Sequence, residues 1–262
     1  MNKIGIGLVT YERPKYFDKS SKAIVRTLLG YVDRLVIYND GSKKSYDKSY
    51  KWLEKCDTDK IKIIHSKKNK GVAHAKNALF KELMKDCEYI FISEDDMLPQ
   101  DRRAITMYMA ANRMSGIDHM MYAHHGPANK RPDALLDIKG AIEYYHSCVG
   151  AWCFYTRTIL KEVGLMDENF YNAWEHVEHT WRIFKYHELE YGYYPDVIGS
   201  KEFIKEIPGS IDNSSIGQQD NAPRIRIIVD GLKYWKKKDK DFPAQHTLEY
   251  FTKLLKEMEE KE

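Results

Sequence analysis

The stretch Tyr89-Ile90-Phe91-Ile92 is an apolar run that passes through Ser93 straight into three acids, Glu94, Asp95 and Asp96. Met97, Leu98 and Pro99 then close the acids off. The run has the length and character of a buried strand, so any fold must bury it and leave the acids at a sheet edge. Three adjacent carboxylates repel one another, and a divalent cation is their natural partner.

The fold around that strand is readable from the hundred residues that contain it. Residues 4–10 are a short apolar strand, interrupted by Tyr11-Glu12-Arg13-Pro14, where proline suits a helix start. Residues 15–29 carry apolar groups at Phe17, Ala23, Ile24, Leu28 and Leu29, a helix face, and Gly30 ends it. Residues 35–38 are a second strand, leading into the turn Asn39-Asp40-Gly41-Ser42. Helices are expected over 46–56 and 72–85, with a third strand at 61–65 and a fourth at 89–92. This alternation predicts an α/β fold with a parallel sheet. Parallel strands bring the loops at their C-terminal ends together. The polar loops 10–14, 39–42, 65–71 and 94–99 therefore converge on one ligand site.

The second half is less regular. Helices are expected at 102–113 and 156–163, short strands at 120–123 and 148–155, and a loop at 126–140. Residues 171–186 read as a loop running into a helix, 197–207 as an edge strand and 208–224 as a loop. The chain closes on an amphipathic helix with Leu248, Phe251, Leu254, Leu255 and Met258 on one face, preceded by the basic run Lys236-Lys237-Lys238. The division this suggests is a regular half over 1–100, a less regular half of the same domain over 101–215, and a tail over 216–262.

Composition narrows the function classes. With 262 residues, 43% of them hydrophobic, the chain can bury a full core. Its 42 basic and 39 acidic residues nearly balance, which demands no nucleic-acid partner. The four cysteines have no zinc-type spacing and read as free thiols of a reducing compartment. No apolar run approaches a membrane span, and the first residues read as a strand, not a signal peptide. The expected location is the cytoplasm, with the tail as the point of any peripheral membrane contact. No His-Glu-x-x-His or Gly-x-Ser-x-Gly occurs, so zinc-peptidase and serine-hydrolase chemistry find no support.

Taken together the motifs resemble those of a family 2 glycosyltransferase of the GT-A fold. Val9-Thr10-Tyr11-Glu12-Arg13-Pro14 is similar to the family's first-strand ending. Asn39-Asp40-Gly41-Ser42 is similar to its two-acid Gly-Ser turn, with asparagine in the first acid's place. Asn69-Lys70-Gly71, followed by Ala75-Lys76-Asn77, is similar to its Asn-x-Gly segment and small-basic-Asn triplet. The acid block is similar to its metal-binding motif. Downstream, Gly164-Leu165-Met166-Asp167-Glu168 and Glu175-His176-Val177-Glu178 look like its Gly-x-Phe-Asp-Glu turn and its Glu-Asp-x-Glu segment. The resemblance covers roughly residues 3–187.

The resemblance implies a GT-A type Rossmann-like mixed sheet flanked by helices and ended by a helical tail. It also implies transfer of a sugar from a nucleoside-diphosphate sugar, UDP being the favoured nucleotide, to an acceptor hydroxyl. Asp96 is the implied ligand of Mn²⁺ or Mg²⁺, with Asp95 its rival. Thr10, Tyr11, Arg13, Asp40, Asn69, Lys76, Glu94 and Asp95 are the implied nucleotide-sugar contacts, Asp40 facing the base and Lys76 a phosphate. An inverting mechanism needs a general base, and the family's aspartate position is held here by His176, a competent base near neutral pH. His176 ranks ahead of Glu175 for that role. Trp152 and Trp174 are the implied acceptor contacts.

The acceptor stays open between a surface glycan or lipid-linked oligosaccharide and a hydroxymethylated base in viral DNA; the basic run of the tail suits lipid head groups or phosphates. A rival from another class is a GT-A-like protein that binds a nucleotide or glycan without catalysis. A nucleotidyltransferase is disfavoured because no glycine-rich, basic phosphate loop follows the first strand.

Overall fold

The computed structural model describes residues 2–56, 59–212 and 221–260. Eleven strands and nine helices are assigned among these residues, apart from a short 3₁₀ turn at Leu29–Tyr31. Three βα steps and a fourth strand run β1 (Ile4–Thr10), α1 (Pro14–Leu28), β2 (Arg34–Asn39), α2 (Asp47–Leu53), β3 (Ile61–His65), α3 (Val72–Leu83) and β4 (Tyr89–Glu94). Then follow β5 (Met97–Pro99), α4 (Arg103–Ser115), β6 (His119–Met121), β7 (Leu135–Lys139), β8 (Ile142–Tyr145) and β9 (Trp152–Thr156). The chain ends in α5 (Arg157–Val163), α6 (Glu175–Tyr186), β10 (Tyr194–Val197), α7 (Ser200–Phe203), β11 (Ile204–Glu206), α8 (Asn221–Lys238) and α9 (Gln245–Glu259).

The main sheet has six strands in the order β3-β2-β1-β4-β9-β6. β3, β2, β1 and β4 are parallel, and β9 lies antiparallel between β4 and β6. Helices cover both faces, which is why the strands read as continuous apolar runs and not as alternation. In β4 the side chains still alternate. Phe91 packs with Phe17, Tyr108 and Phe154 on one face, while Ile90 and Ile92 meet Leu79, Phe80 and Ile183 on the other.

The first hundred residues match the pattern read from the sequence as far as β4; the loop expected at 94–99 contains β5. The second half departs from it. The loop expected at 126–140 contains β7, which joins β8 and β10 in a three-stranded antiparallel sheet. The edge strand expected at 197–207 is broken into the end of β10, the single turn α7 and β11. β11 pairs with β5 immediately after the acid block, Glu206 opposite Met97. Of the loop expected at 208–224, residues 213–220 lie outside the described residues, and Asn221 already opens α8. The region expected as a tail carries a packed core of its own. Val229, Leu232 and Trp235 of α8 and Leu248 of α9 bury themselves against Phe170 and Val177. Among the described residues no helix is long and apolar enough to cross a membrane.

Candidate active site

The site lies at the C-terminal ends of β1, β2 and β4, the crevice where an open α/β sheet holds its ligands. β1 pairs with both β2 and β4, so Thr10, Asn39 and Glu94 end level with one another. The turn after β2 closes back on the loop after β3. Gly41 has a φ of +74°, and a Cβ there would sit 2.3 Å from the Lys68 carbonyl carbon, so only glycine allows this approach. Asp40 accepts from the Lys70 and Gly71 amides, at 3.1 and 2.9 Å, and shapes the Asn69 loop; Asn69 Oδ1 accepts from the Gly71 amide as well. Tyr11 stands half-buried at the bend after β1.

The acid block is more constrained than its exposed-looking sequence suggests. Asp95 and Asp96 are each only 2% exposed. Asp95 Oδ2 accepts from the Thr10 hydroxyl at 2.6 Å, and its Oδ1 faces Arg13 Nη1 at 3.0 Å. The same guanidinium reaches Asp96 Oδ2 at 3.3 Å and donates to the Ser210 carbonyl at 2.9 Å. His125 Nε2 lies 3.3 Å from Asp96 Oδ2. Burial raises the Asp95 carboxyl to about 7 against the pull of Arg13. For Asp96, burial is outweighed by His125 and Arg13, and its carboxyl lies below the usual range.

These contacts sort the implied metal ligands. Both Asp95 oxygens are engaged by Thr10 and Arg13. Asp96 Oδ1 is buried without a partner. Asp96 and His125 are thus an oxygen and an imidazole donor side by side, a set that suits Mn²⁺ completed by phosphate oxygens and water. Among the described residues no group of three metal-binding side chains gathers, so any cation here draws much of its shell from the donor. Thr10, expected against the nucleotide, instead spends its hydroxyl on Asp95 and on the Tyr46 hydroxyl at 2.9 Å.

Across the cleft, Lys76 corrects a second expectation. Its position suggested a phosphate contact, but the side chain is 1% exposed and points inward along α3. Nζ donates to Glu94 Oε1 and to the Gly150 carbonyl, both at 2.8 Å. Burial lowers its pKa, yet the neighbouring anions, Glu94 first, leave it above the usual lysine value. Gly150 is also where His176 packs. A Cβ on Gly150 would meet the imidazole at 3.0 Å. His176 follows Glu175 at the start of α6, and its Nδ1 faces Glu175 Oε1 at 3.4 Å. Glu175 is buried; burial raises its pKa, but His176 and Lys76 overcome this and hold it below the usual carboxylate range.

The two tryptophans divide. Trp152 is fully buried against Phe91 in the core, because its place in β9 turns it to the α4 face of the sheet, and it has no exposed surface to offer the acceptor expected there. Trp174 lines a cavity of about 230 Å³ together with His176, Cys148, Arg224 and Ile228, and its indole N–H donates to the Ile228 carbonyl. α8 therefore forms a wall of the site. The basic run expected to face phosphates is partly committed, since Lys238 pairs with Asp167 at 2.7 Å and Glu178 at 2.8 Å. Sequence reasoning missed Tyr46 and Gly150 and placed His125 only in the half that would hold the acceptor, not beside the acid block. His125 stands 29 residues from its partner Asp96, with no spacing to connect them.

A sheet of this order with an acid block at the end of β4 is the architecture of the GT-A fold. The chain belongs to the family 2 glycosyltransferases: the sequence profile of Glycosyl transferase family 2 matches residues 6–135. Its fold is shared with TarS of S. aureus (14% identity, TM-score 0.55, covering 88% of this chain and 70% of that one). It is shared too with GalNAc-T7, solved with UDP, GalNAc and Mn²⁺ (12%, 0.63, 90% and 48%). A third is the mannosyltransferase PcManGT from Pyrobaculum calidifontis, solved with GDP-Man and Mn²⁺ (12%, 0.60, 97% and 69%). The chain thus spans about half of the GalNAc-T7 chain. At these identities the likeness is one of fold. No curated protein sequence matches the chain.

Proposed function

We propose that the protein transfers a sugar from a nucleoside-diphosphate sugar, with UDP as nucleotide, to an acceptor hydroxyl with inversion, and that it uses a divalent cation. The observation that carries this reading is the meeting of both cleft walls at Gly150. Its carbonyl takes the Lys76 ammonium that also holds Glu94, and its α-carbon seats the His176 ring. Donor-side carboxylate and candidate base are thereby held on one backbone unit. The cofactor-bearing relatives, GalNAc-T7 with Mn²⁺ and PcManGT with GDP-Man and Mn²⁺, support the donor class and the metal.

Asp96 and His125 would hold the cation, which when bound offsets charge on the departing diphosphate as a Lewis acid. Asp40, Asn69 and Tyr11 border the nucleotide, and Arg13 is the cation nearest the phosphates. Glu175 stays ionised and orients the imidazole through Nδ1, leaving Nε2 to take the acceptor's proton. That order makes His176 the base and Glu175 its positioning partner. Trp174 and the α8 wall would seat the acceptor beside His176.

The test is a panel of nucleotide-sugars read by thermal shift with Mn²⁺, followed by NMR of the transferred sugar's anomeric configuration. A donor that binds the folded state raises Tm. A product with retained configuration would remove the need for a base at His176 and sink that assignment.

A further inference from the structure

Arg13 lies between the two aspartates that end the acid block. Its Nη1 stands 3.0 Å from Asp95 Oδ1 and 3.3 Å from Asp96 Oδ2. The side chain is 13% exposed, and its Cζ lies 4.4 Å from the centroid of the Tyr16 ring. The backbone beneath it is pinned: the Arg13 amide donates to the Tyr46 hydroxyl at 2.9 Å, its carbonyl accepts from the Tyr16 and Phe17 amides, and Pro14 opens α1. A change of partner here is made by the side chain alone.

The present partners hold the guanidinium unequally. A charge-assisted N–H···O bond is about 2.7–2.9 Å long. The Ser210 carbonyl meets that length at 2.9 Å, whereas both Nη atoms stand 3.3 Å from Asp96 Oδ2. Around it three side-chain atoms are buried with no hydrogen-bond partner among the described residues: Arg13 Nε, Asp96 Oδ1 and Ser210 Oγ. Asp96 is 2% exposed and Ser210 1%. Unpaired donors and acceptors of this kind raise the free energy of the arrangement. That penalty is relieved if the guanidinium turns to a second anion and leaves Asp96 to another cation.

Charge gives the consequence. While Arg13 is on the carboxylates, a divalent cation reaches Asp96 against a like charge. A diphosphate in the cleft offers the guanidinium a stronger partner, since phosphate oxygens accept its bidentate fork as carboxylates do and carry more charge. Arg13 then leaves Asp96 Oδ2 uncovered. We propose that Arg13 is a built-in counter-ion of the acid block that the donor's diphosphate draws away, so that the protein takes up its cation together with the donor and resists taking it alone. The inference rests on the transferase reading above. By linkage, Arg13 adds to the coupling between the two ligands.

The test is Mn²⁺ binding to the full chain, read from the EPR signal of free Mn²⁺, without and with saturating UDP and corrected for the Mn²⁺–UDP complex of the buffer. Arg13→Met is expected to bind Mn²⁺ alone at least about tenfold more tightly than the parent, because a repelling charge is gone. Arg13→Lys keeps the charge and is expected to stay within about threefold of the parent. UDP is expected to tighten Mn²⁺ about a hundredfold in the parent and by about tenfold or less in Arg13→Met. Circular dichroism first establishes that each variant is folded. If Arg13→Met is loosened by its unpaired aspartates, Mn²⁺ alone should restore its Tm, a gain larger than in the parent. Unchanged or weaker Mn²⁺ affinity in Arg13→Met without UDP overturns the proposal, and so does a loss of fold that Mn²⁺ does not restore. An equal gain in Arg13→Lys overturns the argument from charge. A parent that binds no UDP, with or without Mn²⁺, counts against the transferase reading; undiminished coupling in Arg13→Met beside the expected coupling in the parent counts against Arg13 alone.

Discussion

Lys76 and Glu94 form an ion pair whose two ends lie in different surroundings: the ammonium is 1% exposed, the carboxylate 31%, and 2.8 Å separates Nζ from Oε1. Removing one end is therefore not equivalent to removing the other. Glu94→Leu strands a buried cation with the Gly150 carbonyl as its remaining close partner, and a loss of roughly 3 kcal/mol or more is expected. Lys76→Met removes the charge and keeps the volume, and Glu94 can turn to water. Its expected loss is about 1 kcal/mol, mostly from the unpaired Gly150 carbonyl. Urea unfolding of the two variants gives the order. A larger loss for Lys76→Met would show that the lysine's packing, and not its charge, matters at this position.

The proposed metal use can be tested apart from folding at Asp96 and His125. Asp96→Asn keeps the shape and gives up the charge. We expect it to lower kcat/KM by about a hundredfold to a thousandfold, equivalent to a few kcal/mol of lost charge stabilisation. His125→Ala should retain turnover but raise the Mn²⁺ concentration needed for half-maximal rate by roughly tenfold or more. Thermal shift by Mn²⁺ in the presence of UDP reads both without relying on turnover. Undiminished Mn²⁺ dependence in Asp96→Asn would place the cation elsewhere.

How far the sequence reveals this site depends on whether neighbours in space are neighbours in the chain. The four parallel strands and their loops are regular βα units, so Thr10, Asp40 and the acid block are brought together by a rule the periodicity already contains. Nothing local announces that the Arg13 guanidinium lies between Asp95 and Asp96, or that Lys76 turns inward. A helix lysine is exposed by default, and only the approach of β4 and the Gly150 backbone supplies the partners that let it be buried. Where the second half departs from its reading, at β7, β8 and β11, the reason is related. Its strands are three to five residues long, too short for alternation to register, and β11 pairs with β5 from more than a hundred residues away. The amphipathic face of α9 was legible. Its packing against α8 was not, because periodicity reports an apolar stripe and not its partner.

Asp167 links α8 to the body of the domain and gives it an acid-sensitive anchor. Its carboxyl accepts from the Tyr234 hydroxyl and the Lys238 ammonium on Oδ2 and from the Asn169 amide on Oδ1. Burial raises its pKa, but Lys238 and the other donors prevail and set it at about 2. An aspartate in an unfolded chain titrates near 3.9. The folded value is the lower one, so the stabilisation is fully present above about pH 4 and is lost as pH falls toward 2. Discounted for partial exposure, it amounts to about 1–2 kcal/mol. Asp167→Asn should be less stable than the parent at pH 7, and the two should converge at pH 2. Fluorescence of Trp235 and Trp174 during acid titration follows the α8 contact. A constant difference between the two proteins across that range would mean the contact does not depend on the carboxylate's charge.

Gly150 is a position at which the proposed base, His176, can be disturbed through contact alone. Its φ imposes no requirement for glycine, and the objection to a side chain is contact alone: a Cβ would stand 3.0–3.2 Å from three atoms of the His176 ring. The ring is part-exposed and can yield, so Gly150→Ala should leave stability within about 1–2 kcal/mol of the parent. Yielding moves Nε2 away from the acceptor hydroxyl, and a misplacement of about 1 Å lowers rate by up to roughly a hundredfold. The expected signature is a fall in kcat with little change in the KM for the donor, because Asp40, Asn69 and Asp96 lie in the loops after β2, β3 and β4, apart from the segment that carries Gly150. His176→Ala should lose at least as much, and adding Gly150→Ala to it should cost little more, since the ring that the methyl group displaces is gone. Additive losses in the double variant would mean that Gly150 acts through the Lys76–Glu94 pair instead, by tilting the carbonyl that Lys76 donates to.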